Sequence, residues 1–277
     1  MAPVIEQIPG ARPCELGEGA FWNAADQSLW WVDIRGKTLF KHDPQSGRLH
    51  NWTMSEWITR AIPFGTEGDL LVTLASTFGH LKRQGEGFNF HSLLPLDEPG
   101  MRFNDGALDP DGYLWAGTMR VDEDAQSGRW WRFATDGSSR RRLDTPAFTV
   151  TNGPAFDAAN AKVYLTDSAA QIIYRGNYDA GAGVTGLAPW RQFEAGDGCP
   201  DGMIIGPDNL LWVAFWDGAC LRAFDETGSI VHQVELPVMR PTSIAFADDA
   251  ILYATSAQFG LQNDGVQGQT LRIRLRD

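Results

Sequence analysis

Apolar residues in this chain come in short runs separated by polar turns, not at the three-to-four spacing of an amphipathic helix. Leu29-Trp30-Trp31-Val32-Asp33-Ile34, Leu70-Leu71-Val72-Thr73-Leu74 and Leu211-Trp212-Val213-Ala214 are aromatic and β-branched, the composition of strands. Ser46-Gly47, Asp111-Gly112, Asp136-Gly137 and Glu226-Thr227-Gly228 supply turns between such runs. No stretch sustains a 3.6-residue apolar period with caps, so the pattern predicts an all-β protein.

The runs repeat. A carboxylate or carboxamide followed by Gly opens four of them: Glu18-Gly19, Asp105-Gly106, Asn152-Gly153 and Asp201-Gly202. About ten residues after each comes a second strand, and two weaker copies without the acid begin near Arg60 and Thr242. The six starts are separated by 42, 45, 47, 49 and 41 residues. A period in the forties built from short strands predicts propeller blades of four strands, whereas a helical repeat of that length would show helical periodicity. The expectation is one six-bladed β-propeller domain over residues 1–277. Its last repeat holds only three strands, so the extended segment Pro3 to Ile8 is expected to supply the missing one and close the ring.

Composition narrows the function. The 277 residues are 43% hydrophobic with 11 Trp and 15 Phe, enough for a sizeable core. A formal charge of −12 argues against nucleic acid and anionic membranes as partners. No apolar run is long enough to span a bilayer, and Met1 to Gly10 lacks the pattern of a signal peptide. Cys14, Cys199 and Cys220 are odd in number and far apart, which predicts no disulfide framework and a cytoplasmic location. The sequon at Asn51-Trp52-Thr53 then carries no information.

In a propeller the first strand of each blade starts at one mouth of the central tunnel, which would bring Glu18, Asp105, Asn152 and Asp201 to one end, with Asn104 beside Asp105. Asx-Gly by itself often only opens a turn. Four in-phase copies, one of them Glu, point further: clustered carboxylates repel one another unless a cation lies among them. Oxygen donors suit Ca²⁺, Mg²⁺ or Mn²⁺, and admit Fe²⁺ or Zn²⁺.

Arg102-Phe103-Asn104-Asp105-Gly106 followed by Ala116-Gly117-Thr118-Met119 resembles the hallmark of the regucalcin/gluconolactonase family. So do Leu16-Gly17-Glu18-Gly19, Cys199-Pro200-Asp201-Gly202-Met203, and Arg240-Pro241-Thr242-Ser243 with Tyr253-Ala254-Thr255-Ser256-Ala257. The likeness covers almost the whole chain in order. It implies one divalent ion held by Glu18, Asn152 and Asp201. It also implies contacts to a sugar lactone from Arg102, Asn104 and the acid after Gly-Thr-Met, which here is Asp122 where relatives often carry Glu. By the same resemblance Asp201 is the general base, with Asp105 in reserve.

The expected activity is metal-dependent hydrolysis of an aldonolactone by a monomer. The alternatives are an organophosphate or aryl-ester hydrolase using the same site, and a non-catalytic Ca²⁺-binding propeller; the Arg102/Asn104 pair favours an enzyme, because a plain ion site needs no groups that read hydroxyls. His42, His50, His80, His91 and His232 fall on later strands or loops, away from the repeat starts. Ser256 has no nucleophile-elbow context. Arg140-Arg141-Arg142 reads as a solvated hairpin edge, and Cys14 as a buried thiol. Trp57, Trp190 and Trp216 are read either as loop residues around the mouth or as core packing, and the loops near 123–128, 176–186 and 258–268 are expected to cover the mouth.

Overall fold

The second strand of every repeat is apolar almost without a break, which is what a strand covered on both faces requires. Leu29 to Asp33 and Val163 to Asp167 are buried throughout, while the fourth strands Arg48–Thr53 and Ile230–Glu235 are mostly exposed. A computed structural model describes residues 3–65, 68–262 and 264–275. Within them every regular element is a strand, in six four-stranded antiparallel sheets, the six-bladed β-propeller fold. No helix is long and apolar enough to cross a membrane.

The described residues divide into two compact units: residues up to Ile58 together with those from Glu194 onward, and Thr59–Phe193. The first unit contains three sheets. One joins β1 (Val4–Gln7) to strands from the far end of the chain. Another runs β2 (Gly17–Asn23), β3 (Ser28–Asp33), β4 (Thr38–Asp43) and β5 (Arg48–Thr53). The second unit holds β6 (Ile58–Phe64) from Thr59 on, β7 (Asp69–Leu74), β8 (Thr77–Gln84) and β9 (Gly87–Pro95). Its next sheet is β10 (Met101–Leu108), β11 (Leu114–Arg120), β12 (Trp130–Phe133) and β13 (Arg140–Arg142). Its third is β14 (Thr151–Asp157), β15 (Lys162–Asp167), β16 (Ile172–Asp179) and β17 (Gly183–Gln192).

The first unit is completed by β18 (Cys199–Ile205), β19 (Leu211–Trp216), β20 (Cys220–Phe224) and β21 (Ile230–Glu235). Its last sheet is β22 (Pro241–Phe246), β23 (Ile251–Ser256) and β24 (Leu271–Arg274). There β1 pairs antiparallel with β24, Val4 opposite Arg274 and Gln7 opposite Leu271, so the leading segment supplies the fourth strand as its extended pattern predicts.

Sheets within each unit pack through apolar side chains. In the first, Trp212, Leu221 and Val234 meet Ile244, Leu252 and Ile273, and Trp31 and Phe40 join Ile8, Ala245 and Tyr253. In the second, Trp115, Trp130 and Leu143 meet Val163, Leu165 and Tyr174. Each such side chain contributes roughly 1.5–3 kcal/mol by leaving water. One expectation changes. The 176–186 segment is a hairpin between β16 and β17, and the register places its turn at the opposite end of the sheet from Asn152. Of the two readings open for Trp190, the packed one holds: it lies on β17 against Tyr164 and Arg175 and not in a loop.

Candidate functional site

A register irregularity marks the residues singled out by the repeat. In β2, β10, β14 and β18 two residues oppose one on the neighbouring strand: Gly19-Ala20, Asn104-Asp105, Gly153-Pro154 and Asp201-Gly202. Such bulges bend a strand and re-aim its side chains. Glu18 and Asn152 stand immediately before their bulges, whereas Asn104, Asp105 and Asp201 lie within theirs. The four phrases that look in phase along the sequence are therefore offset by a residue or two in the pairing. The following Gly has local reasons. Gly153 has φ 83°, and a Cβ on Gly202 would stand 2.6 Å from the Thr242 carbonyl oxygen.

In the second unit β6, β10 and β14 carry a connected polar row. Arg102 Nη1 donates to Asn104 Oδ1 at 2.6 Å and to the Phe103 carbonyl at 3.0 Å. Asn104 Nδ2 then donates to Asn152 Oδ1 at 2.9 Å and to the Thr151 carbonyl at 2.8 Å. Asn152 passes the direction on, its Nδ2 donating to Ser168 Oγ at 2.8 Å. This one-way chain orients both carboxamides and leaves Asn152 Oδ1 a second lone pair. All three residues are buried.

Asp105 is a clamp. Its Oδ1 accepts from Gly106 N at 2.7 Å and its Oδ2 from Gly153 N at 3.1 Å, tying β10 to β14. Arg60 on β6 lies 3.6 Å from Oδ1. Burial pushes the Asp105 carboxyl above the usual carboxylate range, and the Arg60 charge and the two N–H groups oppose that shift. Arg60 occupies the start of a repeat that lacks an acid. That position in the period was its signal, and the sequence reading assigned it no role.

The acid after Gly-Thr-Met divides between two neighbours. Asp122 turns outward to Arg120, which holds it through Nε and Nη2 at 2.8 Å each. Glu123, with backbone φ of 58°, brings Oε1 to 3.8 Å from Arg102 Nη2.

In the first unit Glu18 and Asp201 are buried on β2 and β18, and both flank β22. Glu18 Oε2 accepts from Gly19 N at 3.2 Å. Ser243 Oγ accepts from Ala20 N at 2.7 Å, and the Thr242 hydroxyl donates to the Gly17 carbonyl, so β22 fixes the strand on both sides of Glu18. Asp33 stabilises the approach: its carboxylate receives Glu15 N and Leu16 N at 3.0 Å each and Gly36 N at 2.9 Å. Asp167 does the same in the second unit, for Thr149 N at 2.9 Å and Val150 N at 3.2 Å. Both acids end an apolar second strand, and that shared position was their signal in the sequence.

Cys199, half-buried at the start of β18, has its thiol pKa raised by burial and by the charges of Asp217 and Asp201. All five histidines lie on third or fourth strands. Among the described residues no three His, Cys, Asp or Glu side chains group as a metal cluster. The set expected from the sequence has two carboxylates and one carboxamide. Its oxygen-only chemistry and buried acids match a hard divalent cation.

The family model for the SMP-30/Gluconolactonase/LRE-like region matches residues 16–258. The chain is 32% identical to the pentonolactonase XacC of Haloferax volcanii, over 92% of this chain and 86% of that one. It is 28% identical to regucalcin of Gallus gallus, over 97% and 92% of the two chains. A luciferin-regenerating enzyme of known structure superposes with a TM-score of 0.90 at 26% identity, covering 99% of this chain and 95% of that one.

Proposed function

Since the chain belongs to the SMP-30/gluconolactonase/LRE-like family of sugar lactone hydrolases, we propose that it opens an aldonolactone to the aldonic acid with help from one divalent ion held by Glu18, Asn152 and Asp201. The observation that carries the substrate class is the hydrogen-bonded row Arg102–Asn104–Asn152. It places a guanidinium and two oriented carboxamides together, the donor and acceptor set that a polyhydroxylated ring requires. A pentonolactonase among the relatives supports the same class.

When bound, a divalent ion would polarise the lactone carbonyl and acidify water beside it. The chain's own groups supply the rest. Asp201 takes a proton as the water oxygen bonds to the carbonyl carbon. The ring C–O bond then breaks and the proton passes to the departing ring oxygen, leaving a hydroxyl and a carboxylic acid, which releases its remaining proton to solvent as the carboxylate. Asp105 fits a different task, since both its oxygens receive backbone N–H groups; it keeps Asn104 and Asn152 in place. Arg102 and Asn104 hold ring hydroxyls.

The test is pH-indicator hydrolysis of sugar γ- and δ-lactones by EDTA-stripped protein, with Ca²⁺, Mg²⁺, Mn²⁺, Zn²⁺ or anaerobic Fe²⁺ restored singly. Metal-dependent opening faster than the spontaneous reaction is expected. Flat traces with every ion from folded protein would overturn the reading, and turnover of aryl or phosphate esters instead would replace it.

A further inference from the structure

Arg35 sits in the turn between β3 and β4, beside the segment that leads into Glu18. Glu18 lies opposite Val32 and Gly17 opposite Asp33, and Ile34 N then donates to the Leu16 carbonyl at 2.9 Å. The next position along is Arg35. Its guanidinium carbon is 3.7 Å from the centre of the Phe259 ring and 5.8 Å from that of Trp57. Phe259 is pinned by its backbone: its N–H donates to the Glu15 carbonyl at 3.0 Å, and its carbonyl accepts from Arg240. The residue nonetheless stays 41% exposed.

A guanidinium held against an aromatic ring is fixed through its face and keeps its N–H edges for a ligand. Among the described residues no carboxylate pairs with Arg35 and no protein acceptor takes its donors. That is unexpected in a chain with 35 acids and 23 Lys and Arg residues. Arg240, on the same loop cluster, is occupied by Asp217 at 2.5 Å. Arg35 therefore has a rigid mount without the anion that usually comes with one.

We propose that Arg35, mounted on Phe259 near Trp57, receives an anionic substituent of the lactone at the end remote from the carbonyl. Carboxylate, sulfonate and phosphate share the forked geometry that a guanidinium binds. The inference rests on the lactonase reading and names the substrate class within it: acidic sugar lactones over neutral ones. The spacing allows this. The backbone opposite Arg35 is three residues from Glu18, about 10 Å along the strand, and a six-carbon sugar acid together with the Arg side chain bridges that span.

The test compares a neutral hexono-1,4-lactone with the corresponding aldaro-1,4-lactone, which differs by a terminal carboxylate, at fixed ionic strength. Wild type, R35Q, R35K and F259A are assayed after each is confirmed folded by its thermal transition. The wild type is expected to favour the carboxylated lactone at least tenfold in kcat/KM. R35Q should lower that anionic-to-neutral ratio tenfold or more, while R35K and F259A should lower it less. A wild-type ratio near one, or a ratio that R35Q leaves in place, overturns the proposal while the lactonase reading stands. Failure to open either lactone with any divalent ion removes the lactonase reading, and this inference with it.

Discussion

Arg102 faces Glu123 across 3.8 Å, while the adjacent Asp122 is captured by Arg120. A one-residue difference thus decides which acid stands beside the proposed hydroxyl-reading guanidinium. E123Q is expected to raise KM for a sugar lactone about tenfold, the scale of one charge-assisted hydrogen bond, with a smaller change in kcat. D122N should alter kcat/KM less than about threefold. Steady-state hydrolysis of the two variants checks this, and a reversed order would return the role to Asp122. Hydrogen bonding to Arg120 holds the Asp122 carboxyl down at about 2. That contact is therefore complete above the ordinary carboxylate range and is lost only as pH falls toward 2.

The Arg60–Asp105 pair is nearly buried, with side chains 12% and 10% exposed. R60Q leaves a buried carboxylate without its cation and should cost about 3 kcal/mol in urea unfolding. R60Q/D105N should cost clearly less than the two single changes added together. Because burial raises the Asp105 pKa above its unfolded value, this group's contribution is fully present below the unfolded pKa and is lost as pH rises through the native one. D105N should flatten that part of the stability–pH curve, and an unaltered curve would count against the assignment.

E18A and D201A should each reduce lactone turnover at least a thousandfold and weaken divalent-ion affinity measured by calorimetry. Full activity in either protein would remove the proposed site. EDTA treatment should mimic these variants reversibly.

The thiols offer a check independent of function. Cys14 and Cys220 are buried and Cys199 half-buried, and burial raises all three thiol pKa values. At pH 7 the thiolate fraction is then small, so native protein should react slowly with a disulfide reagent, Cys199 first, and release three equivalents once denatured. Rapid labelling of Cys14 in folded protein would contradict the packing around Trp31.

Removal of residues 1–9 strips β1 from β24 and withdraws Ile8, which is 2% exposed. About 3 kcal/mol of stability should be lost, visible as a lower melting temperature. Unchanged melting would refute the strand's closing role.

Most strands were legible because they make a period-two or continuous apolar pattern, and the repeat spacing indicates the sheet count. Even β1, outside any repeat, was readable from its extended composition and the missing fourth strand. The offsets at the bulges were not readable, because the ladder partners of Asn104-Asp105 or Asp201-Gly202 lie far along the chain. Asp122 and Glu123 are equally acidic in sequence; the left-handed backbone at Glu123 and the reach of Arg120 separate them. Arg60 was marked only as the start of a repeat, and Arg35 by nothing, for a related reason: an arginine acquires a role only from what lies beside it. The segment 176–186, expected as a loop, is instead almost spanned by β16 and β17.

Pairing of β1 with β24 joins residues separated by nearly the whole chain, Val4 with Arg274. During refolding the β22–β24 sheet must wait with an open hydrogen-bonding edge until its own leading strand arrives, and long-range closure of this kind is slow. At high concentration a neighbouring molecule's leading strand meets the same edge with identical chemistry. Crowded refolding should therefore yield strand-exchanged dimers that dilution and time convert to single chains.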